Sequence, residues 1–317
     1  MEIVIALGFL LGGFFFLVLG GDWLVKAAVS ISARTKIDAA TIGLTVIAAG
    51  TSAPELVTSL LAAFKGAPDI AVGNVVGSNI FNILAIIGIA SLIKPNKVAP
   101  SAVKIELPFL IFTALLMYAF GLNNLYSRVD GIIMILALAA FIIYSLRKAK
   151  QRGMSAADID EEIEILKSGW HDIGYLVLGF VGLLGGADLA LRGGIQIGEL
   201  AGLSERVIGI TIISVGTGLP ELVTSAVAAY KGRDDIAVAN VLGSNMMNTM
   251  AIIGATSVTK PIPVSEKILE YDFFWMIGAT VILMPIFLIF KRKIGRTVGA
   301  FLLIIYLGYV TSLLLSK

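Results

Sequence analysis

Among its 317 residues the chain has no cysteine and a single histidine, His171. Disulfides and thiolate metal sites are excluded on that count, although the compartment stays open. There is no HExxH pattern, nor any constellation of nucleophile, histidine and acid, so a hydrolase lacks its parts. Charge is also scarce: 15% of residues are Asp, Glu, Lys or Arg against 57% hydrophobic. The apolar residues stand in long blocks rather than at amphipathic spacing, which is membrane composition.

A bilayer core of about 30 Å takes roughly 20 apolar residues per helix. Ten segments meet that rule, near 3–25, 38–64, 70–93, 105–122, 129–147, 170–191, 205–230, 236–258, 269–290 and 297–315. Unbroken runs of this length lack the alternation of barrel strands, and backbone groups in lipid must bond within their own segment, so helices are expected. The first segment opens with Met1 and Glu2 in place of a basic stretch and outruns a signal h-region, so it is read as a retained helix. No room remains for a sizeable soluble domain. His171, at a helix entrance, is read as an interfacial residue and not as a ligand.

The chain is written twice, with an offset of 166 residues. GTSAPELVTS at 50–59 returns as GTGLPELVTS at 216–225, identical at eight of ten positions. KGAPDIAVGN at 65–74 returns as KGRDDIAVAN, GNVVGSNIFN at 73–82 as ANVLGSNMMN at 239–248, and Asp22 as Asp188. Each copy holds five segments. An odd number makes the second copy enter the membrane from the opposite side, so the repeats are expected to be inverted. The expected fold is therefore an all-α polytopic membrane protein, ten transmembrane helices in two inverted five-helix repeats. Residues 1–147 form the first repeat, 148–169 a cytoplasmic linker and 170–317 the second repeat.

Basic residues test this arrangement. Of 24 Lys and Arg, seventeen fall at odd-numbered connections and seven at even-numbered connections and termini. Positive charge gathers on the cytoplasmic side, so both termini are expected outside and 148–169 inside. The acidic run DIDEEIE in that linker lacks EF-hand spacing and glycine, and reads as a solvated face.

Glu55 and Glu221 fall near the middle of their segments. A charge at that depth costs about 2.5–3.5 kcal/mol on insertion scales, which makes it a functional-site candidate. Pro54 and Pro220 carry no amide proton and free carbonyls near Gly50 and Gly216. Glycine, hydroxyls, proline and glutamate thus meet in one turn, twice, as in the interrupted helices of transporter ion sites. Thr51, Ser52 and Glu55 share a helical face, as do Ser78 and Asn82; the second-half equivalents are Thr217, Glu221, Ser244 and Asn248. Gly73, Gly77, Ala239 and Gly243 are read as packing positions, and Asp22 and Asp188 as helix-end or interfacial residues. The inventory is all oxygen, the donor set of hard cations such as Ca2+. One Ca2+ would neutralise both glutamates, and an empty site would leave two unpaired carboxylates in a low-dielectric interior. Obligatory exchange follows more naturally from that than uniport.

These residues resemble the sodium/calcium exchanger branch of the calcium/cation antiporter superfamily. The likeness covers nearly the whole chain and is carried by GTSAPEL with GTGLPEL and GNVVGSNIFN with ANVLGSNMMN. It implies Ca2+ bound between Glu55 and Glu221 with carbonyl help at Thr51 and Thr217. Flanking Na+ sites would use Ser52, Ser78, Thr217 and Ser244, with Asn82 and Asn248 central. It also implies that segments 3–25 and 170–191 slide past the rest to alternate access. Gly218 departs from a common serine, for which Ser214 is the expected substitute, and Asn248 stands where some members have aspartate. The implied partners are Ca2+, Na+ and the bilayer, with no cofactor and no nucleic acid, in a chain functional as a monomer at the cell membrane. The animal exchangers' large calcium-sensing domains have no room in 148–169.

Na+/Ca2+ exchange is the leading expectation. Ca2+/H+ exchange is the alternative, because protons on Glu55 and Glu221 would also neutralise the site. A passive cation channel is remote, since repeats around a midplane site imply alternating access.

Overall fold

The computed structural model describes residues 2–152, 165–202 and 214–315. Part of the expected linker and the first part of the expected 205–230 helix lie outside these residues. The helical segments are α1 Glu2–Thr35, α2 Ala39–Thr51, α3 Ala53–Phe64, α4 Pro68–Ile93, α5 Ala102–Gly121 and α6 Arg128–Arg152, then α7 Gly169–Leu200, α8 Ser214–Thr217, α9 Leu219–Tyr230, α10 Asp234–Thr259, α11 Ile268–Ile289 and α12 Arg296–Leu315. Among the described residues eight of them are long and apolar enough to cross a membrane, and α2 with α3, bent by 42° at their junction, makes a ninth if the pair counts as one span.

Local chemistry sets the boundaries. Asp38 caps α2 by accepting the Thr41 amide at 2.8 Å. Proline sits in the first turn of α3, α4 and α9, where its missing N–H costs least. α3 ends in a left-handed Gly66, with the Ala67 amide donating to the Ala62 carbonyl at 2.9 Å. α9 ends the same way at Gly232, with the Arg233 amide donating to the Ala228 carbonyl at 2.8 Å. Both are Schellman-type stops, and glycine is needed there for its positive φ.

The 166-residue offset recurs in the backbone. The breaks fall at Ser52 and Gly218, with φ, ψ of −80°, 7° and −85°, 3°. Wide π-turns span Phe81–Ile86 in α4 and Met247–Ile252 in α10, and again Ala102–Glu106 in α5 and Ile268–Asp272 in α11. Among the described residues four two-residue strands also correspond between the halves, β1 Asn96–Lys97 with β3 Ile262–Pro263 at the same offset, and β2 Leu125–Tyr126 with β4 Lys293–Ile294 two residues beyond it. β1 pairs antiparallel with β4 and β2 with β3, so each clip joins one half of the chain to the other.

α10 and α4 form the buried centre, whereas α1 and α7, like α6 and α12, lie on the outside, and α1 and α7 bare apolar residues such as Leu11, Phe15 and Val181. α1 and α7 pack backbone to backbone through glycine: a Cβ at Gly20 would stand 2.6 Å from the Leu183 nitrogen, and one at Gly186 2.7 Å from the Leu17 nitrogen. Gly243 likewise sits directly on Leu44 and Ala48, as expected of a packing residue, whereas a Cβ at Gly73 or Gly77 would meet nothing within 4 Å, so the packing expected at those two positions is not found. Both outer helices run well past the expected 25 and 191. Their charges do not end them, because each is paired: Asp22 with Lys26 at 3.2 Å and with Lys231, Asp188 with Arg192 at 2.9 Å.

The connections meet in two groups. At one end, β1·β4 lies beside Asp234, which accepts the Lys97 amide at 3.0 Å. Arg34 at the end of α1 donates to Asp172 at 2.7 Å and to the Leu166 carbonyl at 2.9 Å. The β2·β3 clip forms a separate group with Lys260, whose ammonium donates to the Ala63 carbonyl at 2.8 Å.

Candidate functional site

The two breaks set Glu55 and Glu221 one turn into α3 and α9, each 1% exposed. The two carboxyls are close enough to repel one another. Ser52 donates its hydroxyl to Glu221 Oε1 at 3.1 Å, and the hydroxyls of Thr51 and Ser244, 3.4 Å apart, also face Glu221. Hydroxyls from the first half thus reach the carboxylate of the second.

Behind them lies a lattice of amides. Asn82 donates to Asn245 Oδ1 at 2.9 Å, Asn248 to Asn79 Oδ1 at 3.1 Å, and Asn245 to the Asn79 carbonyl at 3.2 Å. Asn82 and Asn248 spend their N–H groups on this lattice and turn acceptors elsewhere. Buried Glu55 Oε2, Glu221 Oε2, Asn82 Oδ1 and Asn248 Oδ1 have no hydrogen-bond partner among the described residues. Such atoms cost about 1–3 kcal/mol each unless a donor or a cation meets them. They form two pairs at the 166-residue offset. Four acceptors without donors, two of them carboxyl oxygens, suit a cation. Among the described residues no three His, Cys, Asp or Glu gather, so other ligands must be neutral oxygens.

Of the expected residues, Thr51, Ser52, Glu55, Glu221 and Ser244 meet directly, and Asn82 and Asn248 belong to the amide lattice. Ser78 is buried on α4 next to Asn79. Thr217 ends α8 beside the break. The side chain of Ser214 lies outside the described residues. At Gly218, a Cβ would stand 2.8 Å from the Phe81 ring, which takes the space a serine would need. Sequence reasoning passed over Asn79 and Asn245, although both stand in the repeated Gly-Ser-Asn. It also passed over Asn74 and Asn240, which donate at 3.0 Å to Ser59 and Ser225 and brace the glutamate helices.

A buried, oxygen-lined pair of carboxylates at two helix breaks, within a bundle of membrane-crossing helices, defines an ion-transporting membrane protein of the antiporter class. The sequence profile of the sodium/calcium exchanger protein family matches residues 5–147 and 171–315, and the chain belongs to that family. It is 32% identical to the sodium/calcium exchanger MaX1 of Methanosarcina acetivorans, over 96% of this chain and 97% of that protein. It is 30% identical to the inner membrane protein YrbG of Escherichia coli, over 94% of each. The sodium-calcium exchanger NCX_Mj, solved after soaking with 2.5 mM Na+ and 0.1 mM Ca2+, superposes with a TM-score of 0.84 at 27% identity, over 98% of this chain and 99% of that one.

Proposed function

We propose that the chain exchanges Na+ for Ca2+ by alternating access, with Ca2+ held between Glu55 and Glu221. The observation that carries this reading is the set of four donorless oxygens on Glu55, Glu221, Asn82 and Asn248. Ca2+ takes 6–8 oxygen ligands, and the hydroxyls beside Glu221, with carbonyls at Thr51 and Thr217, bring the set toward that number. Two carboxylates balance one Ca2+. After its release they need an equal charge before the carrier can cross, and Na+ supplies it at Ser52, Ser78, Ser244, Thr217 and Ser214. A relative that is a sodium/calcium exchanger, and a similar structure soaked in both ions, support the same pair of ions.

In this reading the ten spans form two inverted repeats, 1–147 and 170–317, joined by the linker 148–169. Both termini face outward, the linker faces the cytoplasm, and the monomer transports. Paired breaks, paired π-turns and reciprocal clips support the symmetry. Gly218 favours a competing reading: without a hydroxyl there, one Na+ position weakens, and protons on Glu55 and Glu221 would serve Ca2+/H+ exchange. Calcium uptake into proteoliposomes, driven by an outward Na+ gradient with any pH gradient collapsed, separates the two. Uptake that needs internal Na+ and is lost in Glu55→Gln is expected. Uptake only under an outward proton gradient would overturn Na+ coupling.

A further inference from the structure

α1 and α7 each carry an acid followed four residues later by a base, Asp22 with Lys26 and Asp188 with Arg192. α3 and α9 each end in Lys-Gly, at Lys65 and Lys231. The 166-residue offset maps each of these groups onto its partner. Their contacts nevertheless differ. Asp22 reaches across to Lys231 as well as to Lys26, and its side chain is 28% exposed. Asp188 is 55% exposed and, among the described residues, pairs with Arg192 but not with Lys65.

The apolar faces beneath show the same asymmetry. Gly21 of α1 lies over Val223 and Val227 of α9, where a Cβ would stand 3.5 and 3.4 Å from their methyls. The counterparts on α3, Val57 and Leu61, are 55% and 52% exposed. α1 is therefore closed over α9, while α7 leaves the matching face of α3 bare.

We infer that Asp22–Lys231 and Asp188–Lys65 are alternating latches, one made in each access state, which decide the side to which the ion site opens. The inference rests on the alternating-access reading above. α1 and α7 are joined through glycine along their length, so they shift as one body and cannot close over α9 and α3 together. In this structure the latch at Lys231 is made. It lies at the end where Lys97, Asp234 and β1·β4 meet, so α1 closes the site off at that end. Lys26 and Arg192 keep each acid paired when its latch is open, so switching never strands a bare carboxylate.

Because the chain has no native cysteine, introduced thiols are the only ones present. Val57→Cys and Val223→Cys, made separately in the full chain in nanodiscs without Na+ or Ca2+, report the two faces through their labelling rates with a water-soluble maleimide. Asp22→Asn is expected to lower the ratio of labelling at position 57 to labelling at position 223 by about two- to fivefold, the size set by a partly exposed ion pair. Asp188→Asn is expected to raise it by a similar factor. Exchanging the charges, Asp22→Lys with Lys231→Asp, should restore the original ratio, which general damage to the fold would not do. Shifts in the same direction, or no shift in either variant, would overturn the latches. Proteoliposome exchange measured in parallel keeps the two readings apart. Opposite shifts in a chain that does not trade Na+ for Ca2+ overturn the ion assignment alone, whereas intact exchange with an unmoved ratio overturns the latches alone.

Discussion

At the scale of residues, Glu221 and Glu55 oppose stability, and under the proposed function they serve transport. Two buried carboxyls that repel one another are costly without a cation. Glu221→Gln is thus expected to raise the melting temperature of the ion-free protein while removing the further rise that Ca2+ gives the parent chain. Thermal unfolding with and without Ca2+ checks both parts, and a variant that melts lower in the absence of ions would contradict the account. Gly218 offers a second test. Phe81 occupies the space over it, and the residue equivalent to Phe81 in the second half is Met247. Gly218→Ser alone should lower exchange, because a Cβ 2.8 Å from a ring forces repacking. Gly218→Ser with Phe81→Met should recover exchange and steepen its dependence on Na+ concentration, by restoring a hydroxyl at a matching break. The glutamates, prolines and hydroxyls were legible in the sequence because a polar group in an apolar run must have a reason. Asn79 and Asn245 were less so, since their work is to occupy the donors of Asn82 and Asn248, and a partner 163 or 169 residues away leaves no local pattern.

At the scale of elements, the pairing of α1 with α7 depends on the absence of side chains. Gly186 has the Leu17 nitrogen and the Gly13 carbonyl within 2.8 Å of where a Cβ would stand, and backbone cannot step aside as a side-chain end can. Gly186→Val is expected to destabilise by about 1–3 kcal/mol, the usual cost of overpacking, and to slow exchange. Detergent-solubilised melting beside transport is the check, and an unchanged melting temperature would show that the contact is slack. The ends of the same helices are tied by Asp172, which accepts from Ser30 at 2.5 Å and from Arg34 at 2.7 Å. Since Arg34 is 39% exposed, Asp172→Ala should cost only about 1 kcal/mol, at the lower end for a charged hydrogen-bonded group. These elements also mark where sequence reading reaches its limit. The breaks were visible through Pro54 and Pro220, which cannot donate. The true lengths of α1 and α7 were hidden, because Asp22, Lys26 and Arg192 look like membrane boundaries until their partners are known. The π-turns and two-residue strands carry no periodic signal at all.

At the scale of the whole molecule, the fold couples its halves through parts that match in register and lie in separate clusters. β1 belongs to the first half and pairs with β4 of the second; β3, the counterpart of β1, pairs with β2 of the first. If the repeats were parallel, the two clips would lie at the same end of the bundle. β1·β4 gathers with Lys97, Asp234 and Arg292 and β2·β3 with Lys260, and under the proposed inverted repeats these two clusters lie at opposite ends. In the orientation proposed from the distribution of Lys and Arg, the first cluster faces the cytoplasm. Lys97 and Pro263 occupy equivalent positions in β1 and β3, and both are exposed. Lys97→Cys and Pro263→Cys therefore form a matched pair in a chain without other thiols. In intact cells, a membrane-impermeant maleimide is expected to label the thiol at position 263 and to spare the one at position 97 until the membrane is opened. The reverse pattern would turn the molecule over but keep its inverted design. Labelling of both from one side would make the repeats parallel, and a site built from two inverted halves could not stand.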